Sequence, residues 1–511
     1  MPPRRRRFEG GRLLPRSASV AQAHEGQGNG EAVARRAAAV LLAGRAAAAT
    51  PATAIRRGEG RRRDGTSPSP APPKGTAPGV APAPALRRAG LGREGPRWRG
   101  GNGAGKESRP PGVLAVVLAA TAGRVGAESM KFTADRAVLL KALGHVQGVV
   151  EKRNTIPILA NVLLEAREGD RLGLRATDME IEVAEEVASG VTVARPGRAT
   201  APAAVLVDIV RKLPEGARVE LDHAGGDAPL ALRAGRYATS LTVLPVEDFP
   251  AMAEGKMPHR FALPARALVD LVKKTRFAIS TEETRYYLNG IYLHVAEGGA
   301  DGRRAMRAVA TDGHRLARVE LPGVPEGAEG MPGVIVPRKT VGEVLKLAEE
   351  ADKDAEVEVR LSETKVAFKV GDVRLTSKLI DGTFPEYERV IPKNNGKVLG
   401  VGAGDFARAV ERVAAISSER SRPVKLTLKP NAMTLTASSP EQGKAEEALD
   451  SGEVTYASDD LEIGFQARYL KDITDQVDGE VEFHFADGSA PTIVKAKGDD
   501  KALYVLMPMR V

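Results

Sequence analysis

Apolar side chains recur at fixed spacings in three stretches of this chain. In each stretch an apolar residue within a short alternating run is followed, 7 and 11 residues later, by two further apolar residues. Offsets of 7 and 11 place side chains on one face of an α-helix, so the pattern predicts a short strand that leads into an amphipathic helix. The three sets are Phe132, Leu139 and Leu143; Phe261, Leu268 and Val272; and Leu399, Phe406 and Val410.

Each stretch continues with the same order of predicted elements. An apolar strand ends at a corner of small or polar residues, a second helix follows, and alternating strands come after it. The corners are Ala176-Thr177-Asp178, Ala310-Thr311-Asp312 and Ala437-Ser438-Ser439. The second helices carry Leu206 and Val210, Val341 and Leu345, and Leu470 and Ile473. The alternating strands include residues 217–221, 355–361 and 480–485.

These stretches are therefore three copies of one design. Their starts lie 129 and 138 residues apart, which is too far for a repeat that stacks into a solenoid. We predict an α+β protein with three tandem domains, each with two helices against antiparallel sheets. The predicted domains cover residues 130–256, 257–397 and 398–511.

The first 129 residues have a different composition. They are rich in Ala, Arg, Gly and Pro, and Phe8 and Trp98 are their only aromatic residues. Such a segment has too little apolar surface to offset the entropy of an ordered chain, so we expect a disordered basic extension. Three interpretations stay open: an arm that binds nucleic acid, a targeting segment, or a start assigned upstream of the true beginning at Met130.

Charge divides the chain at the same place. Residues 1–129 hold 23 Lys and Arg against 8 Asp and Glu, which leaves 52 and 58 for residues 130–511. The net charge of +9 therefore comes entirely from the extension, and the folded part is acidic. The chain has no Cys and no His pair at helical spacing, so we expect no disulfide, metal or cofactor. No stretch approaches the roughly 20 apolar residues of a membrane span.

One cluster invites a catalytic interpretation. Asp312, His314 and Arg315 lie within four residues, and a His oriented by a carboxylate is a common general base. A hydrolase that uses Asp312 and His314 with a serine such as Ser280 is one alternative, although no nucleophile elbow accompanies it. The other interpretation of Asp312 is hydrogen bonding at a strand end. A protein that binds DNA through its basic N-terminal arm is a further alternative.

Several motifs in order resemble one family. They are Met130-Lys-Phe-Thr133, Arg153-Asn-Thr-Ile-Pro-Ile-Leu159, Arg285-Tyr-Tyr-Leu-Asn-Gly290, Ala310-Thr-Asp-Gly-His-Arg-Leu316, Ile335-Val-Pro-Arg-Lys339, Phe384-Pro-Glu-Tyr387 and Met507-Pro-Met-Arg510. Together they resemble the bacterial sliding clamps, the beta subunits of DNA polymerase III. The resemblance covers residues 130–511, and residues 1–129 have no counterpart in it.

The resemblance implies a ring-forming protein without catalytic activity. Members form head-to-tail homodimers of three-domain protomers, with helices around a central hole and sheets on the outside. Such a ring encircles duplex DNA without reading its sequence and keeps the replicative polymerase attached. The cations on the predicted helices suit this lining, among them Lys141, Arg211, Lys273, Arg408 and Lys471.

The resemblance also implies a peptide cleft between the second and third domains. It receives a short peptide with Leu and Phe, carried by the polymerase, the clamp loader and other proteins of replication and repair. Its implied wall consists of Leu288, Thr311, Gly313, His314, Arg315, Leu316, Pro385, Arg389, Val390, Pro491, Val505, Leu506, Met507, Pro508, Met509 and Arg510.

Two further surfaces follow from the resemblance. The implied DNA contacts are Arg153, Tyr286, Tyr287, Arg338 and Lys339. The implied dimer interface consists of Arg236, Thr239 and Leu241 from the first domain and Ala415, Ile416 and Glu446 from the third. The chain ends in Val511, where many relatives have Leu. The resemblance implies a cytoplasmic bacterial protein associated with the nucleoid.

Overall fold

Strands in this chain run directly into helices, as the apolar spacing predicts. The computed structural model describes residues 129–151, 155–253, 255–417 and 423–511. The predicted extension therefore lies outside the described residues except for Ser129, and so does Arg153. Among the described residues the α-helices are α1 (Arg136–Gln147), α2 (Ala203–Lys212), α3 (Ala265–Arg276), α4 (Arg338–Glu350), α5 (Ala403–Ala414) and α6 (Ala467–Thr474).

The strands alternate with these helices in three similar runs. The first run consists of β1 (Met130–Asp135), β2 (Asn161–Arg167), β3 (Arg171–Thr177), β4 (Ile181–Val187), β5 (Val191–Arg195), β6 (Gly197–Pro202), β7 (Arg218–His223), β8 (Leu230–Ala234) and β9 (Tyr237–Leu241). The second consists of β10 (His259–Pro264), β11 (Gly290–Ala296), β12 (Ala305–Thr311), β13 (Arg315–Pro322), β14 (Val334–Pro337), β15 (Glu356–Leu361), β16 (Lys365–Val370) and β17 (Val373–Lys378). The third consists of β18 (Lys397–Gly402), β19 (Pro423–Lys429), β20 (Ala432–Ser439), β21 (Gly443–Leu449), β22 (Val454–Tyr456), β23 (Leu461–Gln466), β24 (Glu480–Phe485), β25 (Thr492–Ala496) and β26 (Ala502–Leu506).

Proline marks the change from strand to helix in three places. Pro202, Pro264 and Pro337 each end a strand and precede the first residue of α2, α3 and α4. Their φ angles are −58°, −59° and −60°, which the proline ring fixes. Because proline has no N–H to give to a strand ladder, the strand ends there and the chain enters the helix without a loop.

The apolar stripes of the helices form the core. Leu139 and Leu143 of α1, Leu268 of α3 and Phe406 of α5 are all buried, with Leu143 and Phe406 fully so. The two helices of each run pack against each other, α1 with α2, α3 with α4 and α5 with α6. The predicted strand at residues 480–485 coincides with β24. The α+β fold of three similar units is confirmed.

Two of the four sheets pass from one domain into the next. In the eight-stranded sheet β17 of the second run pairs with β4 of the first, and in the nine-stranded sheet β26 of the third run pairs with β13 of the second. The other two sheets belong to single runs: a five-stranded sheet in the order β5-β1-β7-β8-β9, and a four-stranded sheet in the order β21-β20-β19-β23.

The predicted domain boundaries lie close to the junctions of these runs. Residue 257 precedes β10 by two residues, and residue 398 falls one residue inside β18. The boundaries stay predictions. Within the described ranges no helix has the length and apolar character of a membrane span, and α4, the longest, has 13 residues.

Candidate functional site

The corner between β12 and β13 is a tight hydrogen-bonded turn. The Thr311 hydroxyl donates to the Arg315 carbonyl at 2.7 Å. The Asp312 carboxylate accepts the backbone N–H groups of His314 and Arg315 at 2.9 and 3.0 Å. Gly313 has a φ of 89°, a left-handed conformation that favours glycine. Asp312 is thus the strand-end acceptor that one interpretation of the sequence predicts.

The first domain has the same turn. The Thr177 hydroxyl donates to the Ile181 carbonyl at 2.8 Å, and Asp178 accepts the Ile181 N–H at 2.8 Å. Met179, with a φ of 76°, occupies the position of Gly313. A turn that recurs in two domains is a structural feature of the repeat, so its Asp does not indicate catalysis.

The hydrolase alternative has no geometric support at this corner. The Asp312 carboxylate faces backbone amides and the Arg315 guanidinium, which donates to it at 3.1 Å. The His314 ring instead stacks on Tyr469, with centroids 6.3 Å apart. Ser280 is buried, and its hydroxyl accepts the backbone N–H of Glu282 at 3.1 Å. The described residues hold no group of three His, Asp or Glu side chains placed for a metal ion.

Two motifs from the sequence meet at this turn. Arg285 donates through Nε to the Glu282 carboxylate at 2.8 Å and through Nη2 to the Asp312 carbonyl at 3.2 Å. A Cβ atom at Gly313 would lie 2.6 Å from Arg285 Nη1. The glycine therefore provides the left-handed turn and also the space for the Arg285 side chain.

Arg315 joins the second domain to the third. Its guanidinium donates to the Asp472 carboxylate and to the Phe277 carbonyl, both at 2.6 Å, besides its bond to Asp312. It also lies over the Tyr469 ring, 4.4 Å from the centroid. Its side chain is 5% exposed. Arg315, predicted as part of the cleft wall, is thus a buried interdomain contact beneath that wall.

Tyr469 is a site residue that the sequence reasoning missed. It lies on α6 between the exposed His314 ring and the Arg315 guanidinium. Its only sequence signal is an aromatic residue beside Leu470, on the flank of the predicted helix stripe. The pattern gives the helix face, but it does not show that α6 approaches a turn more than 150 residues earlier in the chain.

The apolar floor of the predicted cleft is a separate cluster from the main core. Leu288, Leu316 and Val505 are buried in it. The other buried members are Val309, Ile335, Phe384 and Tyr387. Leu506, which the resemblance also places in the wall, belongs to the main core instead. Because neighbouring residues of a strand point to opposite faces, β26 gives Val505 to the cleft and Leu506 to the core.

The rim of the cleft is more exposed. Val390 and Met507 are 54% and 41% exposed, so both side chains are accessible to a ligand. Pro385, Arg389 and Arg510 are exposed, and Pro491, Pro508 and Met509 are half-buried. The structure thus brings Leu288, Leu316 and Val505, from two domains, into one buried cluster. The other residues of the wall stay predictions.

The C-terminal segment is held beside the turn by backbone hydrogen bonds. The Met507 N–H donates to the His314 carbonyl at 2.9 Å, and the Met509 N–H donates to the Gly464 carbonyl at 2.8 Å. A Cβ atom at Gly464 would lie 2.2 Å from the Val511 side chain. Gly464 therefore leaves the space in which the chain end packs, so Val511 contributes to the position of the cleft wall.

The predicted DNA contacts differ in how free their side chains are. Tyr286 is 54% exposed, and its ring meets the half-buried Tyr287 edge to face at 5.9 Å. Arg338 is exposed at the start of α4. The Lys339 ammonium is already engaged with the first domain: it donates to the Asp178 carboxylate, the Glu151 carboxylate at 3.2 Å and the Val149 carbonyl at 2.9 Å.

A polar cavity of about 560 Å³ lies on the helix side of the turn. Arg276 at the end of α3, Arg338 on α4 and Arg468 on α6 contribute to its lining, together with His314. The turn therefore has the apolar cleft floor on one side and a group of arginines on the other.

The predicted interface residues lie at the outer sheets. Thr239 and Leu241 are in β9, Arg236 precedes it, and Glu446 is in β21. Ala415 and Ile416 follow α5. Among the described strands, β9 pairs only with β8, and β21 pairs only with β20. Both strands therefore present a free edge.

Comparison with known proteins gives matches along the whole described part. Residues 130–253, 262–386 and 388–510 match the families described as DNA polymerase III beta subunit, N-terminal, central and C-terminal domain. The chain is 53% identical over 383 residues to a beta sliding clamp of Caulobacter vibrioides, and 38% identical over 385 residues to that of Escherichia coli. Each match covers 75% of this chain and 100% of the relative.

Solved structures agree with these matches. A crystal structure of the DNA polymerase sliding clamp from Caulobacter crescentus is 51% identical, with a TM-score of 0.68. A sliding clamp from Bartonella birtlesii bound to griselimycin is 47% identical, with a TM-score of 0.70. Each alignment covers 75% of this chain and all of the other.

Proposed function

Because this chain belongs to the DNA polymerase III beta subunit family, the beta sliding clamps, we infer that it is a processivity factor that holds the replicative polymerase on DNA. The family is non-catalytic, so no reaction is assigned to Asp312 or His314. The observation that carries the inference is the match of all three domains in order, over the whole length of the relatives.

We propose that two copies close into a ring through their free sheet edges. Inside the chain β17 and β26 each pair with a strand of the preceding domain, β4 and β13. By its place in the repeat β9 corresponds to β17 and β26, and β21 corresponds to β4 and β13. If β9 of each copy paired with β21 of the other, the same strand junction would form at both ends of the protomer and close the ring. The predicted interface residues Thr239, Leu241 and Glu446 lie on these strands.

The helices supply the proposed DNA surface. Lys141, Arg211, Lys273 and Arg408 are exposed on α1, α2, α3 and α5. Several helix cations pair with neighbouring acids, such as Lys273 with Glu349 at 3.6 Å. Exposed pairs of this kind contribute little free energy, so phosphates can replace the acid partner at low cost. Contacts to phosphate carry no sequence information, which suits movement along duplex DNA.

Exposed residues around the turn complete the proposed DNA contact. Tyr286 and Arg338 are accessible and belong to the motifs that resemble the family. Lys339 stays a predicted contact, although its three donors are engaged with the first domain. Arg153, also predicted, lies outside the described residues.

The apolar cluster of the turn is the proposed partner site. Leu288, Leu316 and Val505 provide a floor for a Leu or Phe side chain, and Met507 and Val390 provide an exposed rim. Methionine adapts to ligands of different shape, so one cleft can serve the polymerase, the clamp loader and other clamp-binding proteins in turn. As a protein that follows duplex DNA, this chain would work in the bacterial cytoplasm at the nucleoid.

Light scattering on an eluting peak tests the ring. The full chain and a chain that starts at Met130 should both elute as dimers over a wide range of concentration. A monomer from the chain that starts at Met130, over that whole range, would exclude the two-protomer ring. If the chain that starts at Met130 were a dimer and the full chain were not, residues 1–129 would interfere with assembly.

A further inference from the structure

A second groove lies against the linker of residues 384–393, which includes Pro385, Arg389 and Val390 of the predicted cleft. It has a volume of about 980 Å³ and runs between the end of β11 and residues 384–393. Aromatic rings form its wall. Tyr292 is stacked between Phe384, at 4.9 Å and 6°, and His294, at 4.6 Å and 21°. Tyr387 meets the His294 ring edge to face at 5.7 Å.

A buried arginine fixes both sides of this groove. Arg307, whose side chain is 4% exposed, donates to the Glu388 carboxylate at 2.6 Å and to the Tyr387 hydroxyl at 3.1 Å on the linker. It also donates to the Gly298 carbonyl at 2.9 Å, just after β11, and to the Glu320 carboxylate at 2.8 Å. The groove is thus preformed, so a ligand would not have to order its walls.

The groove and the peptide cleft form one continuous surface. Pro385 and Arg389 line the groove and are also residues of the predicted cleft rim. Phe384 and Tyr387 of the groove wall belong to the same apolar cluster as Leu316 of the cleft floor. A polypeptide with its anchor on that floor would enter the groove as soon as it passed Pro385.

We propose that this groove binds the residues of a partner polypeptide that flank its cleft-bound anchor, and that it favours an aromatic side chain in that flank. The proposal rests on the proposed function, because the anchor must occupy the cleft. Stacked rings present flat apolar faces, and a further ring adds offset or edge-to-face contacts beyond the area that it buries. Burial lowers the pKa of His294, which favours the neutral form of its ring in this aromatic wall.

Synthetic peptides can test the groove directly. A fluorescent peptide with a Leu-Phe anchor is compared with two longer peptides, one with a Trp-containing flank before the anchor and one with it after. One longer peptide should bind the full-length protein about tenfold more tightly than the short one. His294→Ala removes a ring from the groove wall and should abolish most of this gain without changing the affinity for the short peptide. His484→Ala, at a half-buried histidine of β24, is the matched control and should keep the gain.

The outcomes separate the two proposals. If neither flank improves binding, or if the full gain survives His294→Ala, the groove is not a partner site. If the short peptide itself does not bind, the proposed cleft fails. A benzophenone in the flank provides a measurement on the unmodified protein that does not depend on the folding of any variant. It should crosslink to residues 292–297 or 384–393, and crosslinks confined to other segments would overturn the proposal.

Discussion

Single residues at the turn hold two domains in place. Arg315 combines carboxylate partners from two domains with a backbone carbonyl and two aromatic rings. A buried arginine with this many contacts stabilises the arrangement of the elements around it. The exposed residues of the rim, such as Val390 and Met507, are the ones left to meet a ligand.

Replacing Arg315 should affect stability and binding together. Arg315→Ala removes the buried cation that Asp312 and Asp472 share, and Asp472 keeps only Arg468 at 3.4 Å, so we expect the free energy of unfolding to fall by about 3 kcal/mol. Affinity for a Leu-Phe peptide should also fall, because Tyr469 and the turn lose their common support. Arg389→Ala, at an exposed arginine that pairs with Glu386, is the control and should change stability by less than about 0.5 kcal/mol. Urea unfolding measures both variants, and equal stability of the two would contradict the role of Arg315 as a stabilising contact between domains.

Arg338 and Lys339 are neighbours with different predicted roles. Arg338 is exposed, whereas the Lys339 ammonium binds three oxygen atoms of the first domain. Arg338→Ala should therefore reduce by about 1 the slope of log affinity against log salt concentration for duplex DNA. Lys339→Met should leave that slope unchanged and lower the unfolding midpoint instead. Anisotropy titrations at several salt concentrations measure both slopes, and a smaller slope for Lys339→Met would show that it contacts phosphate.

Among the elements, β9 and β21 are two of the strands that lie at the edge of a sheet in the described part of the chain. A free edge presents unpaired N–H and C=O groups, which are a template for a second chain. Ring closure through these edges would depend on the backbone more than on side chains. The short side chains of Ala238, Thr239 and Ser240 are consistent with close backbone approach.

Proline substitutions can test the edge of β9. Successive N–H groups of a strand point to opposite sides, so one of Ala238 and Thr239 has its N–H directed away from β8. Proline at that position should yield a monomer with a nearly unchanged unfolding midpoint, because only the outer ladder is lost. Thr239→Ala removes a side chain alone and should leave the dimer intact. Dimers from both proline variants would exclude β9 as the interface.

The helices and strand ends could be predicted from the sequence because their hydrophobic spacing follows directly from helix and strand geometry. The offsets of 7 and 11 identify the buried face of α1, α3 and α5, and the small-residue corner predicts the end of β12. Long-range partners leave no such trace. Lys339 reaches Asp178 and Arg315 reaches Asp472 over more than 150 residues of chain, and hydrophobic period alone cannot assign a partner to a charge. For the same reason the sequence did not show that Tyr469 packs on Arg315.

At the scale of the whole molecule, a histidine joins the first two domains. His145 on α1 lies 2.8 Å from the Glu185 carboxylate of β4 and 2.9 Å from the Glu350 carboxylate at the end of α4. The hydrogen bond to Glu185 raises the pKa of His145, burial lowers it, and the bond to Glu350 raises it further, with a net increase above the usual 6.5. A protonated ring can donate to both acids at once.

Stability should therefore depend on pH through this junction. Because the folded-state pKa is raised, the stabilising contribution is fully present below pH 6.5 and is lost as the pH rises through the folded-state value. His145→Asn should remove this part of the pH dependence, and Glu350→Gln should reduce it. Chemical unfolding between pH 6 and pH 9 measures the effect. If the free energy of unfolding of the wild-type protein and of His145→Asn changed with pH in the same way over this range, His145 would not contribute to the pH dependence.

The sheets that cross the domain junctions also determine how this molecule responds to force. Each junction is a continuous ladder of backbone hydrogen bonds. One ladder includes the pair Val373 and Glu185, and the other includes the pair Arg315 and Leu506. A pull on the two ends of a protomer loads several backbone hydrogen bonds at once, so the domains would bend together before any one of them came apart. In a closed ring of two copies the seams between chains would be the junctions without a covalent connection, so a protein that opens the ring would have to break only one ladder.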